Sequence, residues 1–291
     1  MTGPAAAPLG DPEFRLLRDL VYREAGIHLA ESKRALVAGR LARRLRELGL
    51  ASFRDYCRYL QEGGPAETQE MLNRVCTNET RFFREPRQFA YIEERLLDEW
   101  ARSAAAGRRP RSIRAWSAAC STGEEPYSLA MTLLDRFPPG SGWRVDVLAT
   151  DLSTAALGRA EAALWPIEKA ADIEERHLKA FMLCGTGPQQ GRMKAGPLLR
   201  SVVRFAPFNL NAQPFTPGGP FDLVLCRNVL IYFDRATRTR VLPQLMAQVA
   251  PGGALLLGHA ESMAGLPGAA RPVAPGIYRA AEKAAGAGGG S

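Results

Sequence analysis

Three short stretches of this chain carry residues that could act together. SAACSTGEEPYS (Ser117 to Ser128) sets two adjacent carboxylates, Glu124 and Glu125, just after a turn holding Gly123. A third acid, Asp151, closes the run LATD 27 residues past Glu124. FDLVLCRNVLIYF (Phe221 to Phe233) places Arg227, Asn228 and Tyr232 just beyond another apolar run. The first stretch reads as a strand (Ile113 to Ala118), a tight turn and a helix whose start is marked by Ser121, Thr122 and Pro126. The second reads as a strand from Val145 to Ala149 ending on Asp151, near the offset at which doubly wound folds hold a ribose hydroxyl pair with an acid. Together they point to a cofactor containing adenosine.

What the turn lacks narrows the cofactor. A dinucleotide pyrophosphate needs backbone amides brought close over several glycines, and here the turn has one. Glu124 and Glu125 would repel a pyrophosphate but tolerate a sulfonium and an ammonium. S-adenosylmethionine, cationic and free of phosphate, fits better. The plain alternative is that both glutamates are first-turn acids favoured by the helix dipole.

These residues need a scaffold, and 291 residues are enough for an α/β domain with a smaller second one. Five cysteines (Cys57, Cys76, Cys120, Cys184, Cys226) form no CxxC pair, and three scattered histidines give no metal-ligand spacing, so a reduced cytoplasmic protein without structural metal is expected. No leader or membrane-length apolar run is visible, which predicts a soluble protein. The net charge of +8 calls for an acidic partner without saying which kind. From Lys33 to Arg46 there are six cations and no acid. At 100° per residue Val37, Leu41, Leu45 and Leu48 share one side, with Lys33, Arg40 and Arg44 in an adjoining stripe. That stripe is either a solvated flank or a binding face.

Four helical stretches run from Phe14 to about Val75, with Ser32 and Ser52 as caps and Gly26, Gly49 and Gly63 or Gly64 as stops. They predict a small all-α domain over 13–76, behind a tail (1–12) expected to be disordered. An α/β alternation then spans 77–280, with an inserted β-containing lobe at about 165–200 around CGTGPQQGRMKAGP. A PGG turn is expected before a strand from Ala254 to Leu257. The Gly- and Ala-rich end (281–291) is expected to be a second disordered tail.

In this order and spacing, TNETRFFRE, SAACSTGEEPYS, ATD, GTGPQQG, FNL, FDLVLCRNVLIYFD and GHAES resemble the CheR family of chemoreceptor glutamate methyltransferases over about Phe14 to Ala280. The resemblance implies a class I S-adenosylmethionine-dependent methyltransferase (Rossmann-like) domain with an inserted β-subdomain, preceded by the helical domain. It places Asn78, Thr80 and Arg84 on the cofactor, Arg84 toward its carboxylate. Glu124 takes a polar group of the cofactor, Asp151 the ribose, Asn209 and Leu210 the adenine surroundings, and Arg227 and Asn228 the strand-end contacts. Asn211, where the family usually continues with an apolar residue, is a departure.

The implied reaction transfers methyl to glutamate carboxylates of receptors, giving methyl esters, sensory adaptation and S-adenosylhomocysteine. A carboxylate is already nucleophilic, so positioning carries the rate, and Tyr232 is the residue expected to orient it. Lys33, Arg40 and Arg44 would face acidic receptor helices, and the lobe would dock a receptor tail by strand addition. An RNA or small-molecule methyltransferase and a non-catalytic cofactor-responsive regulator are the alternatives. The cation-rich stretch has no interleaved aromatics to favour RNA.

Overall fold

The computed structural model describes residues 8–263 and 270–281. Most of both expected tails, and 264–269, lie outside the described residues. The helical domain comprises α1 (Asp11–Ala25), α2 (Arg34–Glu47), α3 (Phe53–Glu62) and α4 (Gly64–Val75). Each buries one stripe, as 3.6-residue periodicity requires: Phe14, Leu17 and Val21 from α1, Val37, Leu41 and Leu45 from α2, Tyr56 and Leu60 from α3, and Met71, Leu72 and Val75 from α4. Ser52 caps α3 by accepting from the Asp55 amide at 3.2 Å, and Gly26 closes α1 in the left-handed conformation. Ser32 caps nothing; it sits inside a 3-10 turn, Glu31–Lys33, that leads into α2. Part of the expected tail is structured, since Leu9 is buried and α1 opens at Asp11 with Pro12 in its first turn.

The linker from Thr77 leads through α5 (Pro86–Tyr91), a π-helical turn (Ile92–Leu97) and α6 (Asp98–Ala105) into the sheet domain. Then follow β1 (Ser112–Ala118), α7 (Glu124–Arg136), β2 (Arg144–Asp151) and α8 (Thr154–Ala162). The lobe holds β3 (Leu164–Pro166), α9 (Glu175–Phe181), β4 (Met182–Cys184) and β5 (Arg192–Ala195), paired antiparallel in the order β3-β5-β4. The chain returns through α10 (Pro197–Val202) and β6 (Val203–Pro207), then β7 (Phe221–Cys226), α11 (Arg235–Ala247), β8 (Val249–Leu257), β9 (Ala270–Ala274) and β10 (Ile277–Ala280). The PGG segment lies within β8, where the register against β7 shifts, so it is an irregularity in a strand and not a turn before one.

The main sheet runs β6-β2-β1-β7-β8-β10-β9. The first five are parallel, β10 is antiparallel to β8, and β9 pairs antiparallel with β10. Period-2 alternation sends Ile113, Ala115, Leu223, Leu225 and Leu256 to one core, and Trp116, Ala118, Val224, Leu255 and Leu257 to the other. From β1 the chain winds one way to β2 and β6, and later the other way to β7 and β8. The switch point therefore lies between β1 and β7, where open sheets bind ligands beyond the strand ends.

Candidate active site

The turn after β1 is built from alternating unusual conformations: Ala119, Ser121 and Gly123 all have positive φ (68°, 51° and 96°). Gly123 is required twice over, by that φ and because a Cβ there would come within 2.9 Å of the Ala160 Cβ. Three amides of the turn are already spent: Cys120 donates to the Thr150 carbonyl (2.8 Å), Ser121 to Asp151 Oδ2 (2.8 Å) and Gly123 to the Cys120 carbonyl (3.1 Å). Those amides are unavailable to a phosphate, in keeping with the choice made from the glycine count. The Ser153 amide holds the other oxygen, Asp151 Oδ1, at 2.8 Å. Burial raises the Asp151 pKa, and the Ser153, Ser121 and Leu152 amides oppose that rise. A carboxylate oxygen accepts two hydrogen bonds, so each retains capacity for a hydroxyl.

A deep cavity opens beyond these strand ends, and its wall includes Asn78, Thr80, Arg84, Asp151, Asn209, Leu210, Arg227, Asn228 and Tyr232. Segments from 78 to 232 thus converge. The linker is held by Ser121 Oγ, which donates to the Asn78 carbonyl at 3.0 Å. Arg84 Nη1 donates to the Glu79 carbonyl at 3.2 Å and its side chain is otherwise at the cavity wall. Arg227, nearly inaccessible, donates to the Arg84 carbonyl, stands 3.3 Å from Glu125 and lies over the Phe89 ring. Among the described residues its Nε and Nη1 are buried with no hydrogen-bond partner.

Two expectations are corrected by this geometry. Glu124 is fully buried away from the cavity, its carboxylate taken by Lys169 and the Thr122 hydroxyl; Glu125 faces the cavity instead. The Ser117 hydroxyl donates to Glu125 at 2.7 Å, and burial raises its pKa against the opposing Arg227 charge. Asn209 stays on the cavity wall beside Leu210, and its side-chain amide also donates to the Glu24 carbonyl at 2.6 Å, tying the sheet domain to the end of α1. Asn211, the departure from the family pattern, does the same with the Arg23 carbonyl at 3.1 Å.

The second correction concerns the cations of α2. Lys33 is exposed and Arg40 half-buried, both at the cavity wall, but Arg40 donates to the Val75 carbonyl and the Thr77 hydroxyl. Arg44 lies away from the cavity and binds Glu67 through two hydrogen bonds of 2.6 and 3.1 Å. The helical stripe exists, yet α4 packs on it, so the three cations do not form one solvent-facing row.

Sequence reasoning missed the helical domain's share of the cavity. Ile27, His28, Leu29 and Val37 line it, the Ile27 backbone bridges to Phe233, and the His28 amide donates to the Tyr232 carbonyl at 2.8 Å. It also missed Glu261 of GHAES, whose buried carboxylate gathers amides around Asn228. Both link segments distant in sequence, and no local spacing signals them.

The sheet order, the acid ending β2 and the cavity at the switch point define a class I S-adenosylmethionine-dependent methyltransferase. The residues present fit that cofactor: Asp151 offers acceptors for a diol, Arg227 and Arg84 offer donors for a carboxylate, and the acid-lined turn suits a cation. The bound cofactor supplies an electrophilic methyl group. A family model described as CheR methyltransferase, SAM binding domain, matches residues 78–275, and one described as CheR methyltransferase, all-alpha domain, matches 12–76. The chain is 41% identical over 259 residues to the chemotaxis protein methyltransferase of Escherichia coli, covering 89% of this chain and 87% of that one. It is 39% identical over 270 residues to chemotaxis protein methyltransferase 2 of Pseudomonas aeruginosa (91% and 92% covered). The chain belongs to the CheR methyltransferase family.

Proposed function

We propose that this protein transfers the methyl group of S-adenosylmethionine to glutamate side-chain carboxylates of chemoreceptors. The observation that carries this reading is a cavity holding Asp151 and Arg227 at the strand ends with the half-buried Tyr232 on its wall. The similarity to chemotaxis protein methyltransferases supports the substrate class. An ionised carboxylate needs no base, so the protein's work is to hold the incoming oxygen in line with the methyl carbon. Such positioning is worth roughly 7 to 11 kcal/mol.

In this reading Tyr232 donates its phenol proton in a hydrogen bond to the substrate carboxylate. Asp151 accepts from the ribose, while Asn78, Thr80, Arg84, Asn209, Leu210, Arg227 and Asn228 enclose the rest of the cofactor. Lys33 and Arg40, on the helical-domain wall, meet an acidic receptor helix, an encounter at the cytoplasmic face of the membrane. No helix among the described residues is long and apolar enough to cross a membrane. The edge strand β4, paired on one side only, receives a receptor tail by strand addition.

The test is transfer of labelled methyl into membranes carrying receptors, followed by mild alkali. Label on the receptor released as volatile methanol is the expected result, with Tyr232→Phe lowering kcat while leaving cofactor binding in place. Alkali-stable label in RNA or elsewhere overturns the substrate class. For the tail, a peptide of the receptor C-terminus should bind without cofactor, and absence of binding in titration refutes that part alone.

A further inference from the structure

The loop carrying Asn228 and Tyr232 leaves the end of β7 with little secondary structure of its own, only the 3-10 turn Leu230–Tyr232. Its second residue, Asn228, has φ 58°, a left-handed conformation that asparagine tolerates better than most residues. What holds this backbone comes from elsewhere in the chain. Glu261 Oε2 accepts from the Gly258 amide at 2.7 Å and the Asn228 amide at 2.9 Å. Glu261 Oε1 accepts from the Leu230 amide at 2.7 Å and the Ile231 amide at 3.3 Å. One carboxylate, 7% exposed, therefore serves four backbone donors.

The seat is completed by Gly258. A Cβ at that position would lie 2.7 Å from Asn228 Nδ2 and 2.9 Å from the Asn228 amide, so the two chains meet backbone to backbone. Glu261 itself does not line the cavity, whereas Asn228 and Tyr232 do. Charge-assisted hydrogen bonds to amides are shorter and about twice as strong as neutral ones, and misplacing a reacting group by about 1 Å can cost on the order of a hundredfold in rate.

We infer that Glu261 is a positioning residue for methyl transfer: its carboxylate clamps the Asn228–Ile231 backbone and so sets where the Tyr232 phenol stands. The kinetic side of this inference rests on the function proposed above; the structural side does not. Glutamine keeps the shape but offers only one carbonyl, so in Glu261→Gln one pair of amides meets an NH2 group, donor against donor. Aspartate keeps the charge but is a methylene too short to reach both pairs.

The deciding experiment is hydrogen exchange on the full chain, followed by peptide. In E261Q, exchange over 227–233 should rise at least about tenfold while peptides from α7 and β2 keep their wild-type rates. Glu261→Asp should show a smaller rise confined to the same peptide. Exchange that is unchanged, or that rises uniformly across the chain, overturns the inference, as does an E261Q chain that fails to fold while E261D exchanges like wild type.

The second readout is kinetic. E261Q should lower kcat by about a hundredfold, and the double variant with Tyr232→Phe should fall no more than about threefold below Y232F alone. Losses that multiply show the two residues acting separately and refute the clamp. If E261Q shows the local exchange pattern but the wild type methylates no receptor, the proposed substrate is wrong and the clamp stands.

Discussion

The Ser121 amide donates to Asp151 Oδ2 at 2.8 Å, joining the turn after β1 to the end of β2. One carboxylate thereby does two things. It fixes a turn in an uncommon backbone conformation, and it presents its remaining acceptor capacity to the cavity.

Asp151→Asn should weaken S-adenosylmethionine binding by roughly 10- to 100-fold, from loss of hydrogen bonds to a charged acceptor worth about 1.5 to 3 kcal/mol. Its amide group must also face one of two backbone donors, Ser121 or Ser153. Calorimetric titration of wild type and variant measures the change, and equal affinities would remove Asp151 from the cofactor site.

Arg44 is a structural residue, in contrast to its expected role in binding. Arg44→Ala strands Glu67, which is 5% exposed and otherwise accepts only from the Tyr56 hydroxyl at 3.0 Å. Urea unfolding should show a loss of roughly 2 to 3 kcal/mol. Arg43→Ala, at an exposed neighbouring position, should stay within about 0.5 kcal/mol.

His177 gives the fold an acid-sensitive point. The ring is 1% exposed, stacks on Phe83 at 5.3 Å, and among the described residues has no hydrogen bond on either nitrogen, the nearest carboxylate oxygen, on Asp135, standing 3.7 Å from Nε2. Burial lowers its pKa, helped by the Arg176 charge and opposed by Asp135 and Glu174. A histidine depressed in the folded state is protonated more readily when unfolded, so stability is full above about pH 6.5 and falls as pH drops below it. Unfolding midpoints of wild type should decline over that range, and His177→Phe should lose that part of the slope.

Thiol chemistry should separate Cys184 from the rest. Cys184 is exposed, whereas burial pushes Cys57 up to about 11 and Cys76 up to about 12, the latter with Asp151 adding its charge. Burial also raises Cys120 and Cys226 well above the usual thiol value. At pH 8 a thiol reagent should modify one equivalent quickly in the native protein and five after denaturation, with peptide mapping placing the fast site at Cys184.

Much of this was legible in sequence because it is local. Ser52, through its hydroxyl, and Gly26, through its left-handed backbone, mark helix ends, short apolar runs mark β1 and β7, and the single turn glycine with its following acids already disfavoured a pyrophosphate. The short strands β3, β9 and β10 were not anticipated, since three to five residues carry too little pattern to stand out from loop.

The amino-acid sequence by itself determined the alternation of elements, the acid at the end of β2 and the turn that must precede α7, because each depends on neighbours within a few residues. Only the tertiary structure decided that Glu125 and not Glu124 meets the cavity, that Arg44 serves Glu67, that Asn209 serves α1, and that Glu261 holds the Tyr232 loop. In each case the side chain's partner comes from a distant segment. Competition among buried donors and acceptors for partners, which local spacing does not encode, selects the one that is made.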